Sequence, residues 1–321
     1  MKYLLSIILL SFLLSQDCEE GYTYIPSSEI PITTTSLPYE SGQPYTCFND
    51  GDINFLTDLN QMNSLGYDSP ISLGTQTWNY GKLKVFVATY TPNGAGISST
   101  QIEILPDNIS NLTEIITLYL EWNHLTNLPN SFTELATLKN LYISNNKIES
   151  LNSDFGNLTE LKILDAGYNY ISEIPDSFLE LENLEYLWLF NNDITYIPEG
   201  ICSLDIQWDD MDNSYYPYFA IGGNELCFEE DVPECILNSD HFDESLDQFY
   251  YSFMYVIEQD CADVNNDNSI DILDVLLIVD IIMNFDYPDT NDESYNHMDI
   301  NDDLIIDVID IIALINIILS S

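Results

Sequence analysis

One stretch of this chain repeats itself every 23 residues. Asparagines recur at this interval across the middle of the chain, at Asn123, Asn146, Asn169 and Asn192. An apolar residue stands three and five residues before each asparagine, and a leucine or isoleucine two and five residues after it. Since one such coil cannot bury its own apolar side, four copies in phase indicate a stack of coils, each packed on its neighbours.

Each repeat predicts a short strand followed by a turn. The alternating Leu-x-Leu gives a strand with one buried face, and the asparagine amide is expected to satisfy backbone groups at the turn. The positions match L-x-x-L-x-L-x-x-N-x-L-x-x-L-P, so the stretch resembles the leucine-rich repeat family. That resemblance implies an α/β solenoid with a parallel sheet on its concave face and a cap at each end.

The sequence around the repeats predicts further segments. The apolar run over residues 3–14 is too short to cross a bilayer and is typical of a secretory signal peptide, expected over residues 1–15. The expected order then continues with an N-terminal region and cap (16–99), repeats with a C-terminal cap (100–237), an acidic connector (238–260) and a separate module (261–321). The protein is therefore expected to be secreted, either extracellular or at a cell surface.

Local signals predict elements in the flanking segments. Asn49 or Asp50 is expected to cap a short helix, and residues 78–87 are expected to form the strand that leads into the solenoid. The next in-phase asparagine after the four repeats is Asn224, which follows Asn192 by 32 residues and predicts a distorted last coil with a 9-residue insertion. A helix is expected in the connector, around residues 246–257.

The 6 cysteines lie near the two ends of the repeats. In an exported chain an even number of cysteines predicts disulfide bonds. Cys18 and Cys47 are expected to pair and close the segment between them. The pairing of the others stays open: Cys202, Cys227, Cys235 and Cys261.

The charge balance limits the classes of partner that the protein is expected to bind. The chain has 54 acidic residues against 6 lysines, for a formal net charge of -48. Such a surface repels phosphate backbones and anionic lipid, so neither nucleic acid nor a membrane surface is an expected partner, and no membrane insertion is expected after signal cleavage. Divalent cations, by contrast, are attracted to it.

Two 12-residue loops in the C-terminal segment match the ligand spacing of a calcium-binding EF-hand loop. Ca²⁺ takes about six to eight oxygen ligands, which this loop supplies from its first, third, fifth, seventh, ninth and twelfth residues, the seventh through its backbone carbonyl. The first loop places there Asp263, Asn265, Asp267, Ser269, Asp271 and Asp274. The second, 36 residues later, places there Asp299, Asn301, Asp303, Ile305, Asp307 and Asp310. Two Ca²⁺ sites are therefore expected.

Each loop runs straight into an aliphatic helix, and this duplicated loop and helix resembles a type I dockerin, a small all-α calcium-binding domain. The resemblance implies attachment to a cohesin-like scaffold protein or a cell-surface protein, chiefly in polysaccharide-degrading assemblies. The sequence departs from that family at Leu304, where glycine is usual. It also departs at Ile272–Leu273 and Val308–Ile309, where hydroxyl residues are typical of cohesin recognition. The alternative is a tail that calcium merely folds.

The residues between the buried leucines are expected to face outward on the concave sheet, stacked in rows with one residue per coil. Aromatic rings beside carboxylates and amides are typical of a surface that binds a polysaccharide or a peptide. The expected ligand contacts are Tyr119, Glu121, Trp122, Tyr142, Asp165, Tyr168, Trp188 and Phe190. The alternative is that these are ordinary sheet-favouring residues.

Catalysis is not expected. The only carboxylates in these rows belong to Glu121 and Asp165, whose backbones lie about 12 Å apart by strand spacing, beyond the separation that glycosidase pairs use. The leading hypothesis is a secreted, non-catalytic protein whose solenoid recognises a protein or glycan and whose dockerin-like module attaches it to a partner. The first alternative is an accessory component of a polysaccharide-degrading complex, and the second gives the module a structural role only.

Overall fold

The computed structural model describes most of the chain from residue 18 onwards. The described residues are 18–39, 42–91, 96–97, 100–214, 216–226, 232–246, 254–256, 264–265, 270–284, 287–288, 298–300 and 305–320. The expected signal peptide over residues 1–15 lies outside this set, as do Cys227 and Cys261.

One eight-stranded sheet organises the molecule. Its strands, in chain order, are β2 (Thr34–Leu37), β4 (Thr75–Asn79), β5 (Lys82–Val87), β6 (Thr117–Tyr119), β7 (Asn140–Tyr142), β8 (Ile163–Asp165), β9 (Tyr186–Trp188) and β10 (Phe219–Ala220). Neighbouring strands are parallel except β4 and β5, which are antiparallel. From β6 to β9 the register advances by one strand per 23 residues, aligning Leu118, Leu141, Leu164 and Leu187. The strand predicted for each repeat is thus confirmed.

The outer side of each coil consists of a short 3₁₀ segment and not an α-helix. These segments are Asp107–Asn111, Asn130–Glu134, Phe155–Asn157, Asp176–Glu180 and Glu199–Ser203. Four of the five follow directly on a proline with extended backbone, and a 23-residue coil has no room for a longer helix. Their phenylalanines point inward, where Phe155 stacks on Phe178 with 5.9 Å between ring centroids.

The repeat asparagines form a ladder of hydrogen bonds inside the solenoid. Each Oδ1 accepts a backbone N–H from the preceding coil, as Asn169 does from Ile148 at 3.0 Å. Each Nδ2 donates to carbonyls of its own and the preceding coil. Asn224 takes the same position after the insertion, accepting from Ile194 at 3.1 Å and donating to Ile221 at 2.7 Å. The predicted role of these amides and the distorted last coil are both confirmed.

An N-terminal cap covers the first coil. Strands β1 (Tyr22–Tyr24) and β3 (Cys47–Asn49) pair antiparallel and lead into α1 (Asp50–Met62). Asn49 caps α1 as predicted, its side chain accepting from Gly51 N at 3.1 Å and Asp52 N at 3.3 Å. The buried carboxylate of Asp52 accepts Leu83 N at 2.8 Å and so ties the helix to β5.

The expectation of one strand over residues 78–87 is wrong. This stretch contains the end of β4 and all of β5, joined by a tight turn. Tyr80 and Gly81 both have positive φ, at 48° and 72°, which is the backbone that a two-residue hairpin turn with the correct twist requires.

The C-terminal end of the solenoid is closed by α2 (Glu234–Leu237) and an antiparallel pair, β11 (Glu244–Leu246) and β12 (Met254–Val256). A helix is expected around residues 246–257, but the described residues at both ends of this range lie in strands, so the expectation is wrong there. Pairing along the sheet edge explains the difference, because Gly222 N donates to Glu244 O at 2.9 Å and draws β11 into extended backbone beside the last coil.

Two disulfides staple the two ends. Cys18 pairs with Cys47, as predicted, and Cys202 pairs with Cys235. The first ties the start of the described chain to β3, and the second ties the last 3₁₀ segment to α2. One apolar core runs between these staples, from Phe48 to Ile236.

The C-terminal module has a small core of its own. Helices α3 (Ile272–Asn284) and α4 (Val308–Ser320) pack against each other. The side chains buried there include Val264, Ile278, Ile306 and Leu314, of which Ile278 and Leu314 are separated by the 36 residues of the internal duplication. No helix in the described part of the chain is long and apolar enough to cross a membrane.

Candidate functional site

A cavity of about 340 Å³ opens on the concave side of the sheet. It brings together four of the predicted ligand residues, which are Tyr119, Glu121, Tyr142 and Trp188. It adds four that the sequence analysis did not single out, which are Ile163, Tyr186, Asp212 and Tyr216. We refer to it below as the concave cavity.

Two tyrosines form one side of the concave cavity. Tyr119 and Tyr142 are partners in register on β6 and β7, and their rings lie parallel with centroids 4.5 Å apart. The spacing of parallel strands, about 4.8 Å, imposes this stacking on aromatic residues at equivalent positions. Burial raises the pKa of both phenols, and a hydrogen bond links the two side chains. The pair is therefore fixed before any ligand arrives.

Glu121 lies deeper in the concave cavity. Its carboxylate accepts a hydrogen bond from Thr89 Oγ1, and its side chain is almost fully buried. Burial raises its pKa to about 7; the Asp165 carboxylate contributes to the rise, and the bond from Thr89 opposes it. Glu121 thus exchanges its proton in the neutral pH range, unlike an exposed glutamate.

The insertion segment (residues 205–217) closes the opposite side. Asp212 accepts N–H bonds from Ser214 at 2.7 Å and Tyr216 at 3.0 Å, and the hydroxyl of Tyr186 at 3.1 Å. Burial favours a higher pKa for Asp212, but these three hydrogen bonds outweigh it and hold the pKa below its usual value. Trp188 is anchored to the same segment, since its Nε1 donates to Pro217 O at 2.8 Å.

Two of the four added residues could have been predicted from the sequence, and two could not. Ile163 and Tyr186 stand two residues before Asp165 and Trp188, so strand alternation places them on the same face, one row earlier along each strand. The 23-residue period would therefore have been enough to predict this row. Asp212 and Tyr216 belong to the insertion segment, which has no counterpart in the other repeats, and no periodic signal locates them.

Two of the predicted contacts are not exposed to a ligand. Asp165 is fully buried, with Oδ1 accepting Gly167 N at 3.3 Å. Phe190 is also fully buried, because its ring occupies the space beside Gly167, only 2.3 Å from where a Cβ would lie. Leu246 of β11 belongs to the same buried cluster. Both residues stand on the concave side of the sheet, but neither is open to a ligand as expected, and Trp188 retains only 7% exposure.

Trp122 and Tyr168 lie apart from the concave cavity, at the corner where each strand ends. They line a second depression, of about 380 Å³, with Asn145, Asn191 and Lys147. Trp122, Asn145, Tyr168 and Asn191 occupy equivalent places and all have positive φ, between 52° and 60°. The Tyr168 hydroxyl donates to Leu246 O at 3.3 Å, so part of this row supports the C-terminal hairpin.

The C-terminal loops place their twelfth residues alike. Asp274 and Asp310 are fully buried, and each accepts the N–H of the ninth residue of its loop, Asp271 at 2.7 Å and Asp307 at 2.6 Å. Asp274 also accepts Asn265 N at 3.1 Å, which turns its carboxylate back across the loop. Both helices therefore begin with a buried aspartate that accepts the backbone N–H of the residue three positions before it.

The structure describes only some of the remaining predicted calcium ligands. Asp299 is buried, whereas the Ile305 side chain is exposed, which suits a residue expected to offer only its carbonyl. Asp263, Asp267, Ser269, Asn301 and Asp303 lie outside the described residues. Within the described set, no group of three or more His, Cys, Asp or Glu residues is placed to hold a metal ion.

Comparison with known proteins agrees with the repeat architecture. Residues 136–194 match the leucine rich repeat family. No curated protein matches the chain in a sequence comparison.

Several solved structures resemble parts of the chain. A leucine-rich repeat protein of Leptospira interrogans is 24% identical over 43% of this chain and 38% of its own, with a TM-score of 0.34. The plant peptide hormone receptor RGFR1 in complex with RGF2 is 31% identical over 37% and 19%, with a TM-score of 0.30. The ectodomain of the receptor kinase SOBIR1 from Arabidopsis thaliana is 22% identical over 49% and 88%, with a TM-score of 0.38.

This chain spans less than half of the first two of those solved chains. The family match covers the coils that contain Asn146, Asn169 and Asn192, three of the asparagines that form the ladder. The coils over residues 136–194 are thus leucine-rich repeats.

Proposed function

We propose that this protein is a secreted, non-catalytic binding protein with two separate attachments. The solenoid recognises a peptide or protein ligand in the concave cavity, and the C-terminal module, folded by calcium, fixes the protein to a second partner. The observation that carries the first part is the concave cavity itself, in which four partly exposed tyrosines surround two carboxylates.

The concave cavity suits recognition because its shape is set in advance. The tyrosine pair is held by strand register, Asp212 by three hydrogen bonds, and Trp188 by its bond to Pro217. Rigid aromatic groups offer a large contact area at low entropic cost, as at the centres of protein interfaces. The two disulfides are typical of chains that work in an oxidising, extracellular compartment.

The test is a ligand screen on a peptide array, repeated with two variants. Tyr142→Ala removes one partly exposed ring outside the leucine core, and we expect it to weaken ligand binding by about tenfold. Tyr170→Ala is the matched control, since Tyr170 is an exposed tyrosine outside the concave cavity. Equal binding by Tyr142→Ala and the parent would contradict recognition at this site.

Two described residues of the first C-terminal loop support the proposal of a calcium ion there. Asn265, at the third ligand position of the first loop, has a buried Oδ1 with no hydrogen-bond partner among the described residues. Asp274, at the twelfth, is a fully buried carboxylate that accepts two backbone N–H groups but has no lysine or arginine in its segment to balance its charge. Buried oxygens of this kind are costly unless a cation or a donor faces them. Calcium would supply that charge at Asn265, Asp271 and Asp274, and at Asp299, Asp307 and Asp310 in the second loop.

Calorimetric titration of Ca²⁺ into the chelator-treated full chain tests this part. We expect two sites with dissociation constants of about 10⁻⁴ to 10⁻³ M. Asp274→Ala should remove one of them, whereas Asp280→Ala, at an exposed position on the same helix, should keep both. Unchanged stoichiometry in Asp274→Ala would show that the loop does not hold calcium.

The second attachment is proposed from the outer faces of α3 and α4. Exposed aliphatic side chains stand there in pairs separated by the 36-residue duplication: Ile272 with Val308, Leu273 with Ile309, and Leu276 with Ile312. Exposed apolar patches of this kind mark interaction sites. A cohesin-like or cell-surface partner is proposed for this face.

Purified cohesin immobilised on a surface provides the assay. The parent chain should bind in millimolar calcium and not in chelator. Changing both halves of the duplication, in Leu273→Asp with Ile309→Asp, should abolish binding, whereas Ile104→Asp at an exposed aliphatic position of the solenoid should not. Binding that survives the double change would exclude this face as the docking surface.

A further inference from the structure

We propose that the concave cavity accepts a cationic side chain, the ammonium group of lysine or the guanidinium group of arginine, carried by an extended peptide. This inference rests on the proposed function, since it names the chemistry of the ligand bound at that site.

The lining of the concave cavity has a one-sided chemistry. Five of its eight residues are aromatic, two are carboxylic acids, and the eighth is Ile163. No lysine or histidine is among the described residues that line it. Aromatic faces attract cations through their ring quadrupole, and this attraction strengthens where water is excluded. An anionic ligand would meet two carboxylates in the same space and be repelled.

The hydrogen-bond inventory also favours a ligand that brings donors. Trp188 Nε1 is already used by Pro217 O, and the Tyr186 hydroxyl is already used by Asp212. The groups that remain for a ligand are ring faces, the hydroxyls of the other three tyrosines, which can accept as well as donate, and the carboxylate oxygens of Glu121 and Asp212. Ammonium and guanidinium groups carry three and five N–H donors and no acceptor, which complements such a lining.

Among the described residues, none supplies a cation to this space. The described lysine ion pairs use carboxylates elsewhere on the solenoid: Lys84 with Glu114, Lys139 with Glu160, and Lys162 with Glu185. Glu121 and Asp212 are in none of the described ion pairs. Within the described part of the chain these two carboxylates have no cationic partner, so we expect the ligand to bring the positive charge.

Proton release from Glu121 can distinguish binding in the concave cavity from nonspecific attraction of a cation to the acidic surface. Burial raises its pKa to about 7, and the titratable groups that face it are Tyr119, Tyr142 and Asp165. A cation beside it favours the charged carboxylate, so binding at pH 7 should release a proton. Exposed carboxylates, already ionised at this pH, release none.

The experiment is calorimetry on the full chain in millimolar calcium and 150 mM salt, which screens exposed charges beyond about 8 Å. The probes are hexalysine, hexaarginine, hexaglutamine and spermine. We expect the two cationic peptides to bind at least tenfold more tightly than hexaglutamine, with proton release at pH 7 measured by comparing buffers of different ionisation enthalpy. Spermine tests whether the peptide backbone matters, and we expect it to bind more weakly than hexalysine.

Three variants complete the test. Tyr142→Ala should weaken hexaarginine binding by about fivefold, and Glu121→Gln should abolish the proton release. Glu173→Gln, at an exposed carboxylate outside the concave cavity, should change neither.

The outcomes separate the two proposals. Equal affinity for hexaglutamine, equal weakening by Glu173→Gln, or no binding of either cationic peptide at 1 mM overturns the cationic assignment. Spermine binding as tightly as hexalysine overturns the peptide part. If a neutral peptide or glycan binds and Tyr142→Ala weakens that binding, the cationic assignment is wrong, but ligand recognition at the concave cavity is still supported. A ligand indifferent to Tyr142→Ala overturns both.

Discussion

Replacing Asn169 by alanine removes one rung of the ladder that joins successive coils. The amide makes four hydrogen bonds: its Oδ1 accepts Ile148 N at 3.0 Å, and its Nδ2 donates to Ile143 O at 3.1 Å, Ala166 O at 3.0 Å and Gly167 O at 3.2 Å. All of these groups are buried in the solenoid. The cost of the substitution depends on which of them keep another partner.

The three carbonyls do keep one. Ile143 O still accepts from Asn146 Nδ2, Ala166 O from Asn192 Nδ2, and Gly167 O from Asn145 N. The N–H of Ile148 loses the acceptor that the ladder gives it. A buried donor left unpaired costs about 1 to 3 kcal/mol, and the weakened carbonyl bonds add about 0.5 kcal/mol or less each. We therefore expect Asn169→Ala to lower the free energy of unfolding by about 2 to 4 kcal/mol.

Urea unfolding, followed by circular dichroism with calcium present, measures this difference. Asn183→Ala is the matched control, because the exposed amide of Asn183 donates one hydrogen bond, to Thr159 O at 2.8 Å. The control should lose less than about 0.5 kcal/mol. If Asn169→Ala is no more costly than Asn183→Ala, the ladder does not hold the coils together and the reasoning from unpaired donors fails.

Three further predictions concern stability. Phe190→Ala should cost about 3 to 5 kcal/mol, because the ring is fully buried over Gly167, whereas Tyr170→Ala should cost little; similar urea midpoints for the two variants would contradict this. Burial, partly offset by the N–H bond from Leu83, raises the pKa of Asp52 to about 6 from 3.8. The folded state therefore retains this proton longer, so the Asp52 contribution to stability is greatest below pH 4 and falls as the pH rises to 6; Asp52→Asn should lose this slope when unfolding is compared across that range. Replacing Cys202 and Cys235 by serine releases a 33-residue loop and should cost about 3 to 4 kcal/mol by thermal unfolding, and an unchanged melting temperature would contradict the staple role.

Periodicity made most of the solenoid predictable. A 23-residue phase places each leucine in register and each asparagine at a turn, since every coil has the same neighbours. The same phase located Asn224 across an insertion, because the ladder geometry tolerates extra residues between its rungs but not at them. The hairpin turn was readable as well, since Gly81 after Tyr80 signals a tight turn that the strand prediction overlooked.

The concave site was predictable only in part, because its outer boundary is not periodic. Asp212 and Leu246 reach the concave face through segments that have no repeat partner, and only the folded chain shows where they lie. Phe190 shows the same limit within the repeats. Its row predicts an outward ring, but the missing side chain of Gly167 in the adjacent coil lets the ring lie flat against the sheet.

The asparagine ladder determines how the length of this protein can change. Because each rung bonds one coil to the next, removing or adding 23 residues leaves every remaining asparagine opposite a valid partner, whereas a single inserted residue within a rung misplaces a buried amide. The 9-residue excess before Asn224 is tolerated because the insertion segment leaves the coil between Ser203 and β10 and returns before the next rung. Lengthening or shortening of the array is therefore expected in whole coils, and new loops are expected only between the 3₁₀ segment and the following strand.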